Sequence, residues 1–272
     1  IAGGSGSWGR ELTRQLLEQN PRKVIIYSRG EISQVDMRRK FNDKRLQFII
    51  GDIRDAHAVD KACSMNVDYV FSCAALKHVP VCEAQPLEAV RTNILGIENL
   101  ITSSIKYGVK KFIEVTTDKT VEPRSLYGMT KKIGDALVIQ ANALTGDTDF
   151  ICVRSGNVLG TNGSIVPYAI EQIKTRNKVQ ITDERMTRFF LTLPQAVHLL
   201  FYAAEAGVGG ETFVMNMPSF YIRDLLDILV EHYGDKDTLI ERIGAMEGEK
   251  IHEALISEQE AYHAYVVNDD YS

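Results

Sequence analysis

The chain has 272 residues, of which 44% are hydrophobic and 25% are charged, and its formal net charge is −5. This composition is typical of a globular protein and excludes a fibrous or disordered chain. Because the net charge is negative, we expect no nucleic-acid partner. A membrane span needs roughly 18 consecutive apolar residues, and no stretch of this sequence reaches that length.

The cysteines and histidines show no pattern of a disulfide framework or a metal site. Four cysteines are widely spaced, without a Cys-x-x-Cys pair, as is typical of reduced thiols in a cytoplasmic protein. His198, His232 and His263 also lack metal-ligand spacing. We therefore expect a cytoplasmic protein without a metal site.

The first half of the chain alternates short apolar runs with helical patterns. We predict strands over residues 24–27, 46–50, 67–72, 111–116 and 150–153, and helices over 11–19, 31–40, 55–64, 86–107 and 127–144. Apolar strands separated by helices are typical of a parallel sheet that is covered on both faces. Residues 1–3 resemble the end of a strand that runs into a glycine turn, so we expect that strand to begin upstream of Ile1.

The regular alternation stops beyond about Asn157. We predict helices over residues 164–175, 194–206 and 222–233, and short strands over 179–182, 188–191 and 212–214. The predicted fold is an α/β, Rossmann-like doubly wound parallel sheet over residues 1–156. A smaller α/β lobe over 157–272 completes a cleft above the carboxyl edge of the sheet, and one of its strands can return to that sheet.

Glycines recur at every third position in GGSGSWG (3–9), between a predicted strand end and a helix. In dinucleotide-binding turns such glycines allow a tight turn, close approach of the backbone to a pyrophosphate, and close packing of helix on sheet. The helix N-terminus then faces the phosphates. We predict a dinucleotide site that includes Gly3, Gly6, Ser7, Trp8 and Gly9.

The residues after the second strand favour NADP over NAD. Tyr27-Ser28-Arg29 offers a hydroxyl and a guanidinium for a 2′-phosphate, where an NAD-binding protein has a carboxylate for the ribose. Glu31 nearby leaves open that Arg29 is a solvated surface residue. We predict that Asn93 is a buried hydrogen-bonding residue that braces the active-site strand. Further cofactor contacts are predicted after the next two strands, at Asp52, Ile53, Ala74, Ala75 and Lys77.

Thr117-Asp118-Lys119 follows an apolar strand, and Tyr127 and Lys131 begin the next helix. Because Tyr127 and Lys131 are four residues apart, they share one face of that helix. The ammonium can lower the pKa of the phenol from about 10. Such a phenol can accept a proton from a sugar hydroxyl while hydride leaves the same carbon for a nicotinamide.

The spacing of Tyr127 and Lys131 is weak as a signal by itself. Tyr107 and Lys111 have the same spacing, but Gly108 lies between them and is expected to end a helix. Their side chains then do not share a helical face. The neighbouring Thr117-Asp118-Lys119 triplet distinguishes the first pair from the second.

Together these residues resemble the extended short-chain dehydrogenase/reductase family, and within it the inverting UDP-N-acetylglucosamine 4,6-dehydratases of pseudaminic-acid and related surface-sugar pathways. The matching stretches span nearly the whole chain: GGSGSWG (3–9), YSRGE (27–31), FNDKRLQFIIGDIRD (41–55), AALKHVP (74–80), TTDKTVEPRSLYGMTK (116–131), RSGNVLGTNGSIVP (154–167), ITDERMTRFF (181–190) and GEKIHE (248–253). The membrane-anchored retaining dehydratases typically have Met at the position of Tyr127, which favours the inverting branch.

The resemblance implies catalytic roles for Asp118, Lys119 and Tyr127, with Thr117 beside them and Lys131 supporting the phenol and the nicotinamide ribose. It implies a UDP-sugar substrate, and we expect a homo-oligomer. Two departures from the family pattern concern the sugar or its affinity: Met246 replaces an Arg expected at the diphosphate, and Ser155 replaces an aromatic residue. Substrate contacts are predicted at Lys77, His78, Asn157, Val166, Thr182, Arg185, Met186 and Glu249.

In the implied reaction Tyr127 accepts the proton of the sugar 4-hydroxyl, Lys119 removes the C5 proton, and Asp118 protonates the departing 6-hydroxyl. Lys119 must be neutral for this role. Burial, Lys131 and a bound nicotinamide lower its pKa, whereas Asp118 raises it, so we expect the pair to share a proton and to titrate as a unit. Because neighbours on a strand point to opposite faces, the scheme also needs a turn at residues 117–120. Two alternatives stay open: a UDP-hexose 4-epimerase, which needs a hydroxyl at Thr116 or Thr117 instead of the triplet's charges, and a non-catalytic NADP-binding sensor or scaffold.

Overall fold

The computed structural model describes residues 1–161, 163–244 and 248–267. The strands are β1 (Val24–Ser28), β2 (Leu46–Ile50), β3 (Tyr69–Ser72), β4 (Lys111–Thr117), β5 (Asp149–Ser155), β6 (Asn157–Val158), β7 (Lys178–Ile181), β8 (Thr187–Leu191), β9 (Thr212–Val214), β10 (Ser219–Tyr221) and β11 (Leu239–Arg242). The helices are α1 (Ser7–Glu18), α2 (Glu31–Phe41), α3 (Ala56–Cys63), α4 (Val79–Ala84), α5 (Pro86–Val90), α6 (Gly96–Lys106), α7 (Leu126–Leu144), α8 (Ile165–Arg176), α9 (Leu193–Ala206), α10 (Ile222–Tyr233) and α11 (Glu258–Ala261).

A parallel sheet forms the centre of the molecule. Its two groups of strands, β2-β1 and β3-β4-β5-β9, are joined by the segment at Ala2, which forms parallel bridges with Tyr27 and Ser72. All neighbouring strands in both groups are parallel. The predicted Rossmann-like α/β fold is confirmed.

The two faces of the sheet carry separate apolar cores, because successive side chains of a strand point to opposite faces. On one face, Ile113 and Ile151 pack with Leu199 of α9, and α1 lies against the same core. On the other face, Phe112 and Phe150 pack with α3, α6 and α7, and their ring centroids are 5.3 Å apart. Coverage on both faces explains why these strands are apolar at nearly every position.

Most elements lie within two residues of their predicted bounds, and β2, β9 and α10 coincide with them. Four differences concern helices. α1 begins at Ser7 rather than at residue 11, and α4 and α11 were not predicted. The long helix predicted over 86–107 is present over residues 86–106, and it contains a π-helical turn, Arg91–Leu95, between α5 and α6. Such turns occur as single insertions inside α-helices, and the apolar period did not reveal this one.

The later part of the chain forms a second core and also returns to the large sheet. β7, β8, α8 and α10 pack around residues such as Phe190 and Leu226. Two small sheets, β6-β8-β10 and β7-β11, support this core. β9, in contrast, extends the large sheet beside β5, and α9 packs on that sheet. The domain boundary at residue 156 stays a prediction.

Cys63, Cys73, Cys82 and Cys152 are free thiols. Within the described ranges, no helix combines the length and the apolar character that crossing a bilayer requires.

Candidate active site

A 3-10 turn, Asp118–Thr120, follows β4 and stops the alternation of the strand. The Thr117 hydroxyl donates to Asp118 Oδ1 at 3.0 Å, and the Thr120 hydroxyl donates to the Thr117 carbonyl at 2.8 Å. Lys119 Nζ lies 3.0 Å from Asp118 Oδ1, so the two side chains turn toward each other. The turn that the chemistry requires at residues 117–120 is confirmed.

Asp118 and Lys119 are held away from bulk solvent. Asp118 is fully buried, and 25% of the Lys119 side chain is exposed. A second carboxylate approaches the amine from the C-terminal part of the chain, because Glu253 Oε1 lies 3.6 Å from Lys119 Nζ. Glu253 was not singled out in the sequence, where only its place in GEKIHE signals it.

The second carboxylate changes the expected protonation of Lys119. Burial lowers the pKa of Lys119, but Asp118 and Glu253 raise it more, so the pKa lies above the ordinary 10.5. The lowering effect of burial and the raising effect of Asp118 on this pKa are as predicted, whereas the contribution of Glu253 was not predicted. Lys119 is an ammonium in the empty site, because two carboxylates face it.

Tyr127 lies one residue inside α7. Ser125 caps this helix by accepting a hydrogen bond from Gly128 N at 3.2 Å, and Thr117 hydrogen-bonds the phenol. Burial raises the pKa of Tyr127 above 10, although Lys131 and Lys119 act in the opposite direction. The expected lowering by the ammonium is present, but desolvation outweighs it in the empty site.

Lys131 is anchored beneath the site by the sheet. Its Nζ donates to the Glu114 carboxylate and, at 2.8 Å, to the Val115 carbonyl. Glu114 is fully buried on β4, and Asp135, also buried, lies on α7. Burial lowers the pKa of Lys131, but these carboxylates raise it more, so Lys131 stays charged. Sequence reasoning missed Glu114, although a charged residue inside an apolar strand is itself a signal.

Tyr107 and Lys111, the second pair with the same spacing, make contacts away from the candidate active site. Tyr107 Oη donates to Asp60 Oδ2 at 2.8 Å on the surface. Lys111 Nζ donates to the Gly207 carbonyl at 2.6 Å. Gly108 has φ +63° and follows the end of α6. The prediction that this pair does not share a helical face is confirmed.

Asn93 fixes the loop after β3 beside α7. Its Oδ1 accepts from Leu76 N at 2.9 Å, and its Nδ2 donates to the Leu76 carbonyl at 2.9 Å and to Thr130 Oγ1 at 3.1 Å. The prediction of a buried hydrogen-bonding residue is confirmed. The prediction that Asn93 braces the active-site strand is wrong, because its hydrogen bonds go to this loop and to α7 rather than to β4.

The glycine turn has the geometry of an anion cradle. Gly3 has φ +74°, and a Cβ there would meet Ala74 N at 2.9 Å. A Cβ on Gly9 would overlap the backbone of Gly4, so turn and helix pack without space for a side chain. Gly6 is the N-cap of α1 and places no side chain over the helix N-terminus. Since the first N–H groups of a helix lack partners within it, this end suits a pyrophosphate.

The residues predicted at the adenosine end form a polar cluster at the ends of β1 and β2. Ser28 Oγ lies 2.8 Å from Ser5 Oγ and accepts from Gln34 Nε2 at 2.9 Å. The Arg29 side chain is 55% exposed, and its Nη1 lies 3.8 Å from Asp52 Oδ2. Asp52 is also bound by Arg54, at 2.6 Å. The cofactor roles of these residues and of their neighbours stay predictions: Ser7, Trp8, Ile53, Ala74, Ala75 and Lys77.

Two loops that carry predicted substrate contacts meet across the cleft. A Cβ on Gly163 would overlap the His78 ring, so the loop after β3 touches the loop before α8. Lys77 is exposed beside His78, and Asn157 lies on β6, half-buried. Val166 is half-buried in the first turn of α8. His78 therefore lies beside the loop that leads into α8, the helix that carries Val166.

The remaining predicted substrate residues lie in the second core or at its edge. Arg185 is held by Asp183 at 2.8 Å, and Arg242 approaches the same carboxylate at 3.2 Å. Met186 is 2% exposed, and the Thr182 hydroxyl lies 3.1 Å from its sulfur. Glu249 is half-buried, and the substrate roles of all these residues stay predictions.

The two departures from the family pattern fall in different places. Ser155 is buried on β5, and its hydroxyl donates to the Thr116 carbonyl at 3.4 Å. Met246 lies outside the described residues.

A large cavity does not belong to this site. It measures about 700 Å³ and is lined by Ile1, Val24 and Tyr69 among others. Val24 and Tyr69 begin β1 and β3, whereas Thr117 ends β4. The cavity therefore lies at the amino edge of the parallel sheet, opposite the candidate active site.

This chain is similar to known proteins over nearly its whole length. The family model described as "Polysaccharide biosynthesis protein" matches residues 1–272. The chain is 40% identical to the inverting UDP-N-acetylglucosamine 4,6-dehydratase of Campylobacter jejuni, over 100% of this chain and 81% of that protein. It is also 40% identical to the UDP-glucose 4-epimerase of Rickettsia prowazekii, over 96% and 77%. The X-ray structure of Pen from Bacillus thuringiensis is similar with a TM-score of 0.96 and 38% identity, covering 100% of this chain and 87% of that one.

Proposed function

The chain belongs to the polysaccharide biosynthesis protein family, within the extended short-chain dehydrogenases/reductases, and we propose that it is a lyase that removes water from UDP-N-acetylglucosamine. The product is a UDP-4-keto-6-deoxy sugar with inverted C5, for surface-sugar biosynthesis of the pseudaminic-acid type. The observation that carries this proposal is the contact of 3.0 Å between Lys119 and the buried Asp118, with the Thr117 hydroxyl bonded to both Asp118 and Tyr127. Water loss needs an acid and a base at adjacent carbons, and this contact supplies both.

The cofactor proposed is NADP. The glycine turn at residues 3–9 would hold its pyrophosphate, and exposed Arg29 would face the 2′-phosphate. When bound, the nicotinamide would supply the reversible hydride transfer that oxidation at C4 and reduction at C6 require. Lys131 would hold the nicotinamide ribose, from its anchored position beneath Tyr127.

Tyr127 must first give up its phenol proton to solvent, because its pKa lies above 10 in the empty site. As a phenolate it accepts the proton of the 4-hydroxyl, and the resulting ketone acidifies the C5 proton. In the empty site Lys119 is charged, so it must lose a proton before it can act. A proton that moves along the contact of 3.0 Å converts the ion pair into a neutral amine and a carboxylic acid. A buried site that excludes water favours this neutral form.

The neutral pair then has both required groups. The Lys119 amine removes the C5 proton, and the Asp118 carboxylic acid protonates the departing 6-hydroxyl, which leaves as water. This step restores the ammonium and the carboxylate. Protonation of C5 from the opposite face inverts that centre.

The test is incubation of the purified protein with UDP-N-acetylglucosamine and either NADP or NAD, followed by mass spectrometry and NMR of the sugar. We expect loss of one water and a 6-deoxy-4-keto product. Lys119→Ala should lower the rate of water loss by about 10²-fold or more, with NADP still bound. Lys61→Ala, an exposed lysine on α3, is the control. Turnover like that of the wild type in Lys119→Ala would refute the base assignment.

A second candidate is a UDP-hexose 4-epimerase, which the identity to the Rickettsia prowazekii protein supports. Epimerisation would use Tyr127, Lys131 and the hydroxyl of Thr117, without Asp118 and Lys119. The same incubation separates the two functions, since an epimer keeps its 6-hydroxyl and its mass.

A further inference from the structure

Glu253 reaches the candidate catalytic pair from the C-terminal segment, residues 248–267. One of its carboxylate oxygens lies 3.6 Å from Lys119 Nζ, and the other lies 3.3 Å from Lys250 Nζ. Only 4% of its side chain is exposed. Lys119 therefore lies between two buried carboxylates, Asp118 and Glu253.

The titratable groups that act most strongly on Lys119, among the described residues, come from three different elements. Asp118 faces it from the 3-10 turn, Tyr127 from α7, and Glu253 from the C-terminal segment. Lys250 faces Glu253 and also donates to the Val121 carbonyl, which ties the segment to the turn. A buried carboxylate is costly unless it is paired, so Glu253 favours the charged form of Lys119.

We propose that Glu253 is a positioning residue that holds the Lys119 amine beside Asp118 and sets the pH at which this amine loses its proton. The inference rests on the proposed function, in which Lys119 acts as a neutral base. The proposed acid–base step needs only one carboxylate, and Asp118 already provides it. Glu253 acts on that step from outside, by making the ammonium more stable.

The test measures the reactivity of the Lys119 amine with acetic anhydride across a pH series, by mass spectrometry of its peptide in the full chain. Only the neutral amine reacts, so the midpoint reports its pKa. In Glu253→Gln the loss of a negative charge should move this midpoint down by about one pH unit or more. The falling limb of water loss against pH should move in the same direction, because loss of the proton that Lys119 and Asp118 share also removes the acid of the step. A role limited to stability would lower the rate at every pH without moving the limb.

Three further variants make the result specific. Glu241→Gln removes the same charge from an exposed pair with Lys178 and should leave the midpoint unchanged. Glu253→Asp keeps the charge and should keep the midpoint near that of the wild type. Lys250→Met removes the competing ammonium, so it should raise the midpoint, and it decides the question if Glu253→Gln does not fold.

An unchanged midpoint in Glu253→Gln, or one that does not rise in Lys250→Met, overturns the proposal. The labelling needs no sugar. A wild type that converts no UDP-sugar therefore contradicts the proposed function, while the role of Glu253 is still decided by the labelling.

Discussion

Lys131 and Glu114 form an ion pair that is almost completely hidden from solvent, with 3% and 0% of their side chains exposed. Replacing such a pair by apolar residues is often neutral for stability, whereas removing one partner leaves an uncompensated charge. The pair therefore adds little net stability, and we infer that its role is to place the Lys131 ammonium beneath Tyr127.

This leads to a prediction at the residue scale. Lys131→Met should reduce the free energy of unfolding by about 3–5 kcal/mol, because Glu114 is left buried without its cation. The double variant Glu114→Leu with Lys131→Met should recover most of that loss but none of the turnover. Urea unfolding and the rate of water loss measure the two effects. Additive losses of stability in the double variant would contradict the coupling.

At the scale of elements, the start of α7 and the 3-10 turn are in backbone contact. A Cβ on Gly128 would overlap the Lys119 carbonyl, and Pro123 lies close to the same position. The Ser125 cap fixes the first turn of the helix here. The distance between Tyr127 and the Asp118–Lys119 pair therefore depends on the absence of one methyl group.

Gly128→Ala tests this contact. Alanine gains about 1 kcal/mol over glycine within a helix, but its methyl group must push the turn away from α7. Because a shift of about 1 Å in a catalytic group can cost roughly 10²-fold in rate, we expect a loss of turnover of about that size. Cofactor binding should change little. Gly146→Ala is the control, because a Cβ there meets nothing within 4 Å. Unchanged turnover in Gly128→Ala would refute the requirement for glycine at position 128.

At the scale of the whole molecule, the C-terminal segment closes onto the sheet. Arg154 on β5 is 3% exposed, and it binds Glu260 of α11 at 2.8 Å and the Leu255 carbonyl at 2.8 Å. The same segment brings Glu253 to Lys119. The contact of α11 with Arg154 therefore helps to hold the segment that places Glu253 beside Lys119.

This docking should depend on pH. The Arg154 guanidinium lowers the pKa of Glu260 from 4.5 to about 2, so the pair stabilises the folded state above pH 4.5. That contribution is lost as the pH falls from about 4.5 to about 2. In Glu260→Gln we expect faster hydrogen exchange and proteolysis of residues 248–267 at neutral pH, and a weaker loss of stability in that acid range. Glu258→Gln, exposed on the same helix, is the control, and equal exchange in the two variants would contradict the prediction.

The order of strands and helices could be predicted from the sequence because local patterns determine it. Apolar runs between helical patterns predicted the parallel sheet, and the glycines at positions 3, 6 and 9 predicted the turn before α1. The need for a turn at 117–120 followed from placing Asp118 and Lys119 on one side. In each case the relevant physics acts between residues close in the chain.

The π-helical turn at Asn93, the partners of Lys131 and the approach of Glu253 were decided only by the tertiary structure. Each depends on a contact between residues far apart in the chain, which no local period records. The pKa directions of Tyr127 and Lys119 were also decided there, because they reflect the balance of desolvation against all charges nearby. The sequence by itself determined which chemical groups this protein carries and the elements that present them, and packing determined their state of charge.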